Sequence, residues 1–275
     1  MPVSSLPIRP TFAKFFADRG THLAAMVAYF ALASFVPLTF LALAILGLFG
    51  RVDESSALVD ELGRFFPSSS VATIVRAVNA IQENARTLGI VGGVFLLWSS
   101  LSLYSALESA FNIVYDRPNR AFLRGKALAL VFMIVSLVVL FAGLVVGTFG
   151  VDFLERHAPG VIGNGWVALF LSLLVSSLAV FLFLFTAYFR LTNARLTRRE
   201  ALPGAFLGTV VLQLTSQALP LFVRVSSEVV AIRALGAGAL LIIWLYLLAN
   251  VIVFGAELNW QLAYGRRELA AQPRR

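Results

Sequence analysis

The chain has 275 residues, of which 59% are hydrophobic and only 13% are charged, and its mean hydropathy is +0.87. A soluble domain contains about 25% charged residues, so this composition excludes an ordinary globular protein and indicates a polytopic membrane protein. The net charge is +8, and the chain has no cysteine, which excludes disulfides, thiol catalysis and cysteine-bound metal ions.

The first predicted element is an uncleaved membrane span. Basic residues Arg9, Lys14 and Arg19 precede an apolar run over 23–50. The apolar core of a secretory signal is about 7–15 residues long, and this run is nearly twice that length. Residues 10–17 carry three phenylalanines and predict a short amphipathic helix on the inner face of the membrane.

Six segments meet the requirement of about 20 mostly apolar residues for a spanning helix. They are approximately residues 23–49, 88–109, 127–150, 162–189, 201–223 and 235–258. The sequence Thr197-Arg-Arg-Glu200 is a capping box that sets the start of the fifth span, and Pro220 is expected to break that span near its end. The predicted fold class is therefore all-α: one domain over 1–275, built as a bundle of six transmembrane helices.

The connection over 51–87 is predicted to lie on the outer side. Leu58 and Phe65 share a helical face before Pro67, and Ile74 and Ile81 repeat the pattern after it. This spacing predicts two short amphipathic helices. Small-residue pairs also predict close helix contacts, at Gly89/Gly93, Gly143/Gly147 and Gly204/Gly208.

The distribution of Lys and Arg predicts the orientation. The segment before span one has three, and the loops after spans two and four and the C-terminal tail have four each, which makes 15 of the 22. The alternate connections hold the other seven. Both termini are therefore predicted to be cytoplasmic. This placement accounts for the basic charge through anionic lipid facing the inner loops, and no nucleic-acid partner is predicted.

Enzyme signatures are missing from the sequence. It has no Walker A, HExxH or GxSxG motif, and His22 and His157 are predicted at opposite membrane faces. A carboxylate pair, Glu108 and Glu257, is the remaining arrangement for acid–base catalysis. No catalytic residue, metal ion or cofactor is predicted.

Polar residues within the apolar spans are the candidates for a functional site, because they are costly there. Substrate or proton-coupling candidates are Ser102, Ser105, Glu108, Asn112, Asn250, Glu257, Tyr29, Pro37 and Gln213. Two interpretations of the glutamates stay open. Each is either a helix-end carboxylate paired with a loop arginine such as Arg120 or Arg190, or part of an inward-facing polar cavity. Interhelical hydrogen bonding is the simpler role for Asn250 and Gln213.

Four stretches resemble the YihY/BrkB family of bacterial inner-membrane proteins. They are "AAMVAYFALASFVPL", "LGIVGGVFLLWSSLSLYSALESAFNIVYD", "REALPGAFLGTVV" and "IIWLYLLANVIVFGAELN". The resemblance covers residues 20–262 and implies six spans and an inner-membrane location. Members often carry a Tyr-Gly pair before the last span, where this chain has "RALGAG". The resemblance implies no agreed catalytic residues, although members have been labelled tRNA-processing ribonucleases or transporters.

The leading functional hypothesis is transport or translocation of a small or lipid-like substrate, through a polar cavity bounded by spans one, two, five and six. The alternative is a structural or assembly factor of the cell envelope, whose polar residues only bridge helices. A ribonuclease activity is the third hypothesis.

Overall fold

The computed structural model describes residues 7–48, 71–72, 76, 85–157, 165–228 and 237–265. Side chains are described over 7–35, 71–72, 76, 97–139, 170, 173–225 and 239–265. The described residues are almost entirely helical. In chain order the helices are α1 (Ile8–Ala17), α2 (Gly20–Leu48), α3 (Ala85–Val114), α4 (Phe122–His157), α5 (Gly165–Arg190), α6 (Arg198–Gln217), α7 (Leu219–Glu228) and α8 (Ala237–Trp260), followed by a π-helical turn, Gln261–Gly265.

The prediction of an all-α membrane protein is confirmed. Each predicted span falls on a helix: α2, α3, α4, α5, the α6–α7 pair and α8. Within the described residues, three helical segments are long and apolar enough to cross a bilayer, and the α6–α7 pair, bent by 52°, makes a fourth. The number of six spans stays a prediction, and the predicted outer helices over 51–87 lie almost wholly outside the described residues.

Helix α1 has the amphipathic character that its sequence predicts. Thr11 and Phe15 are buried, whereas Phe12 and Phe16 are exposed. A turn at Asp18 and Arg19 then leads into α2, with Arg19 in the left-handed region at φ 55°. Helix α1 therefore lies against the bundle on one side, where Phe12 also contacts Phe254, and leaves the Phe16 ring exposed on the other.

Helix α8 is the centre of the described bundle. It contacts α1, α2, α3 and α6, whereas α5 packs against α6 and α4 packs against α3 and α5. Helices α2 and α3 are joined by two serines: Ser34 Oγ donates to the Ser99 carbonyl at 2.6 Å, and Ser99 Oγ donates to the Ala33 carbonyl at 2.9 Å. These bonds satisfy polar groups where water is scarce.

Glycines allow α6 to approach α8 closely. A Cβ on Gly204 would overlap the Gly255 carbonyl, and a Cβ on Gly208 would lie 2.8 Å from Leu184 of α5. The Gly204/Gly208 pair is therefore at a helix interface, as predicted. The other two glycine pairs lie where side chains are not described.

Helix α6 begins and ends where its sequence predicts. Glu200 accepts a hydrogen bond from the Thr197 backbone N–H at 2.7 Å, as a capping box requires, and the helix begins at Arg198. The break falls at Ala218, two residues before Pro220. Proline has no N–H to donate to the preceding turn, so the helix restarts at a new angle.

Candidate functional site

One end of the bundle gathers the basic segments of the chain. Lys14 Nζ donates to the Val114 carbonyl at the end of α3, at 3.0 Å. Arg120, in the loop after α3, reaches the Leu191 carbonyl after α5. These contacts place α1, the α3–α4 loop and the α5–α6 loop together. We call this region the basic end of the bundle.

Glu108 is held by Arg120 at the basic end. One guanidinium nitrogen donates to Glu108 Oε1 at 2.8 Å and to the Leu191 carbonyl at 2.5 Å. The other donates to the carbonyls of Thr192 and Arg190, at 3.1 and 3.2 Å. The last carbonyls of a helix lack partners within the helix and carry partial negative charge. Arg120 therefore neutralises a buried carboxylate and caps the C-terminus of α5 with the same planar group.

Asn112 joins the two loops beside this ion pair. It is fully buried. Its Nδ2 donates to Asn119 Oδ1 at 3.0 Å, and its Oδ1 accepts the backbone N–H of Asn193 at 2.7 Å. Asn119 in turn donates to Ser109 at 3.2 Å, and Asn193 donates to the Pro118 carbonyl at 3.0 Å. Both loops are fixed by side chains of α3.

The α3–α4 loop folds back because α3 ends in a Schellman-type turn. Asp116 adopts φ 49°, its N–H donates to the Ile113 carbonyl, and the N–H of Arg117 donates to the Asn112 carbonyl at 2.8 Å. The left-handed residue reverses the chain direction. Arg120 is thereby placed beside Glu108.

Glu257 is paired with a cation from the opposite end of the sequence. Its side chain is fully buried, and Lys14 Nζ lies 2.9 Å from Oε2. This is the distance of a charge-assisted hydrogen bond from the ammonium to the carboxylate. Lys14 also contacts Asp18 and lies 4.2 Å from the centre of the Trp260 ring. Lys14 therefore fixes α1 to α3 and α8.

Asn259 bonds to the backbone of α6 on either side of Pro203. Pro203 lies inside that helix and has no N–H to donate to the turn before it. The N–H of Gly204 donates to Asn259 Oδ1 at 2.6 Å, and Asn259 Nδ2 donates to the Ala201 carbonyl at 3.3 Å. Tyr188 makes a similar contact, since its hydroxyl donates to the Ile252 carbonyl at 2.8 Å. Helices α5, α6 and α8 are thus joined by side-chain-to-backbone bonds.

The serines of the predicted polar stripe have separate partners. Ser102 Oγ donates to the Trp98 carbonyl within α3 at 3.0 Å. Ser105 Oγ donates to the Leu101 carbonyl and accepts a hydrogen bond from Lys126 Nζ at 3.1 Å. The polar face of α3 therefore divides among α4, the following loop and the α5–α6 loop.

Glu108, Asn112 and Glu257 are buried. Asn250 is only partly buried, and its Nδ2 donates to the Tyr246 carbonyl within α8 at 2.7 Å. Gln213 Nε2 donates to Ser176 of α5 at 2.9 Å, which is the interhelical role predicted for it. The side chain of Pro37 lies outside the described residues. A role for any of these residues in substrate or proton binding stays a prediction.

Tyr29 requires a correction. It is one of the residues predicted from the sequence as candidates for a polar cavity, but 60% of it is exposed. The face of α2 that packs on the bundle carries Ala24, Val27 and Ala28. Tyr29 is rotated by about 100° from Ala28 around the helix, on the side away from Ala24 and Val27. Tyr29 therefore points away from the bundle and contacts the ring of Phe30.

Two apolar cavities lie along α8. The first, of about 400 Å³, is bounded by α1, α6 and α8, and the second, of about 470 Å³, is bounded by α6, α7 and α8. Val251 lines both, so we treat them as one groove that follows α8 from Leu258 to Trp244. Its walls are almost entirely apolar and include neither Glu108 nor Glu257. The α8 groove thus differs from the polar cavity that the sequence predicted.

Three important residues were absent from the predicted candidates. Lys14 and Lys126 were counted only among the basic residues outside the spans, and Asn259 was not considered as a site residue. A signal existed for Asn259, because it is a hydrogen-bonding side chain at the edge of the last predicted span. Lys14 gave no such signal, since its partners in α3 and α8 lie 100 and more residues away.

Comparison with known proteins gives a consistent family. The family model for virulence factor BrkB matches residues 11–275. A UPF0761 membrane protein of Chlorobium phaeobacteroides is 28% identical over 93% of this chain and 60% of its own length. Similar proteins occur in Pseudoalteromonas atlantica, at 27% identity over 88% of this chain and 81% of the relative, and in Chromohalobacter salexigens, at 28% over 94% and 64%.

The chain thus spans about 60% of the length of the Chlorobium relative. No solved structure matches.

Proposed function

We propose that this chain, which belongs to the BrkB family of integral membrane proteins, moves a lipid-like amphiphile across the membrane along the α8 groove. The lipid-like substrate is one of the two classes considered from the sequence. The groove favours it over a small polar solute, because a hydrocarbon chain suits apolar walls.

The length of the groove carries this proposal. Its lining residues on α8 run from Leu258 to Trp244. At 1.5 Å per residue this stretch is about 21 Å long. Half of a bilayer's hydrocarbon core is about 15 Å, so a groove of this length that starts at the basic end passes the midplane. An acyl chain in such a groove is within reach of both leaflets.

The bend between α6 and α7 supports the same proposal. Thr215, Ala218 and Leu221 line the second cavity, and the helix axis changes direction by 52° at Ala218. Broken helices recur at the substrate sites of membrane transporters. A hinge at Ala218 would change the width of the groove while α6 stays fixed to α8 through Asn259.

The test is lipid translocation in proteoliposomes that contain a fluorescent phospholipid, with an impermeant quencher added outside. The protein should speed the loss of fluorescence from the inner leaflet. Val251→Trp, which fills the junction of the two cavities, should return the rate to that of protein-free vesicles. Val175→Trp is the matched control, because Val175 is 43% exposed on α5 and does not line the groove. Equal rates for the two variants would contradict the proposal.

A structural or assembly role in the envelope is the second candidate function. It is favoured by the contacts of Glu108, Asn112 and Gln213, which bond to other helices and loops of the bundle. Under this role, folded protein would leave the translocation rate at the protein-free level, and both Val→Trp variants would complement a deletion strain equally.

We also propose that the protein is not a ribonuclease. Hydrolysis of a phosphodiester relies on metal clamps or on positioned acid–base groups. Here each of the buried glutamates forms an ion pair within the bundle, Glu108 with Arg120 and Glu257 with Lys14. RNA cleavage by nuclease-free protein, lost in Glu108→Gln or Glu257→Gln, would overturn this proposal.

The orientation remains part of the proposal: an inner-membrane protein of a bacterium with the basic end in the cytoplasm. The absence of cysteine in the chain makes the test direct. A cysteine at Asn193, in the α5–α6 loop, should react with an impermeant thiol reagent only after the cells are opened. A cysteine at Ser69, in the predicted outer segment, should react in intact cells. The reverse pattern would invert the topology.

A further inference from the structure

We infer that Lys126, Ser105 and Trp98 form a binding site for the phosphate of an anionic membrane lipid, on the face shared by α3 and α4. This site is built from other helices than the α8 groove, and it stands independently of the proposed translocation.

The ammonium group of Lys126 has capacity for a further ligand. It donates one hydrogen bond, to Ser105 Oγ at 3.1 Å, and lies 4.7 Å from the centre of the Trp98 ring and 6.0 Å from that of Phe122. An ammonium carries three N–H groups. Among the described residues no carboxylate lies within the ion-pair distance of 4.0 Å. The buried carboxylate of Glu108 lies beside Gly125, the residue before Lys126, and is already paired with Arg120.

The position of Lys126 makes an unneutralised charge costly. It lies in the apolar stretch Phe122–Val139, in the second turn of α4 from the basic end. Charged residues within spans normally pair with an opposite charge, because hydrocarbon does not solvate them. This cost is smaller near the end of a span than at its centre, and there a lipid phosphate can supply the opposite charge.

The surroundings of Lys126 select a lipid over a soluble anion. Trp98 is 52% exposed and Phe122 is 63% exposed, and their rings contact each other at 5.9 Å. Aromatic rings of this kind concentrate at the membrane–water interface. Basic pockets between spanning helices at the cytoplasmic side are typical sites for anionic head groups. An acyl chain attached to the phosphate would lie along the exposed apolar surface of α4, at Val131, Ile134 and Val138.

The test is titration of the purified full-length protein in detergent micelles with phosphatidylglycerol or phosphatidylcholine, followed by native mass spectrometry. Wild type should retain phosphatidylglycerol in preference. Lys126→Gln should weaken its apparent affinity at least about tenfold, since a charged hydrogen bond is lost. Arg124→Gln removes the same charge two residues away on an exposed position and should leave the affinity unchanged. Equal affinities in the two variants would overturn the site.

A second variant keeps the test valid if Lys126→Gln folds poorly. Ser105→Asp places a carboxylate beside the ammonium, so the thermal stability should be kept and the preference for phosphatidylglycerol should be lost. Glycerol 3-phosphate distinguishes the two sources of phosphate. If it displaces the lipid at equal concentration, the site takes free phosphate and the assignment to a lipid is wrong.

Discussion

The two buried glutamates at the basic end show two ways to keep a carboxylate inside a membrane protein. Glu108 is held by Arg120, only 12 residues away. Arg120 donates four hydrogen bonds, one to Glu108 and three to backbone carbonyls. Glu257 is held by Lys14, more than 240 residues away, through one contact of 2.9 Å to a single carboxylate oxygen. The planar guanidinium fixes geometry, whereas the compact ammonium supplies a point charge to several neighbours at once. The first pair orders loops, and the second attaches α1 to the bundle.

The largest expected effect follows from removing the cation beside Glu257. Lys14→Met removes the ion pair of Glu257, whose side chain has no exposed surface. Water has little access to replace the lost cation, because Lys14 itself is only 15% exposed. We expect a loss of about 3–5 kcal/mol, as for other broken buried pairs. Unfolding of the purified protein in detergent micelles measures it. The double variant Lys14→Met/Glu257→Gln should recover most of the lost stability. If it does not, the broken pair of Lys14 and Glu257 is not the cause of the loss.

The glycine beside Glu257 should be the next most sensitive position. A methyl group at Gly255 would overlap the Tyr188 hydroxyl and lie 3.1 Å from the Gly204 carbonyl. Gly255→Ala should therefore cost about 1–3 kcal/mol for overpacking, and about 1 kcal/mol more for the bond from Tyr188 to Ile252. The same unfolding measurement applies. The variant Tyr188→Phe/Gly255→Ala should be less damaged than Gly255→Ala, because the overlapping atom has been removed.

A smaller effect on stability is expected when residue 120 keeps its positive charge but loses the planar guanidinium group. Arg120→Lys still neutralises Glu108, yet an ammonium cannot reach the carboxylate and three carbonyls in one plane. We expect a loss of about 1–2 kcal/mol, equivalent to one or two hydrogen bonds. Arg124→Lys, on the exposed surface of α4, is the control and should change stability by less than about 0.5 kcal/mol. An equal response in the two variants would mean that charge alone matters at Glu108.

The smallest effect is expected at Gly125, the counterpart of Gly255. A methyl group there would lie 3.3 Å from Glu108 Oε2, and a side-chain carboxylate needs to move by only a few tenths of an ångström. Alanine also favours the helix over glycine by about 1 kcal/mol. Gly125→Ala should therefore leave the unfolding midpoint nearly unchanged. A loss as large as that of Gly255→Ala would show that the Glu108 pair is as rigid as the α6–α8 contact.

The polar stripe of α3 shows how far sequence reasoning reached toward the site. Their polarity within an apolar span identified Glu108 and Asn112 as candidates, and Arg120 was identified as one possible partner because it follows in the next loop. Whether the glutamates share a cavity was not derivable in the same way, and the structure pairs each of them with a different cation. Which cation each carboxylate meets depends on how helices pack, and a hydrophobic pattern constrains faces but not neighbours.

The sequence by itself determined the membrane class, the helical segments, the start and break of the fifth span, and the amphipathic helix before the first. Each follows from a local cause: apolar length, a capping box, a proline, or a repeat of apolar residues. Only the tertiary structure decided that Lys14 reaches Glu257, that Asn259 bonds to the backbone of α6 beside Pro203, and that an apolar groove follows α8. These depend on contacts between residues distant in the chain, whose distances are set by packing against the central helix.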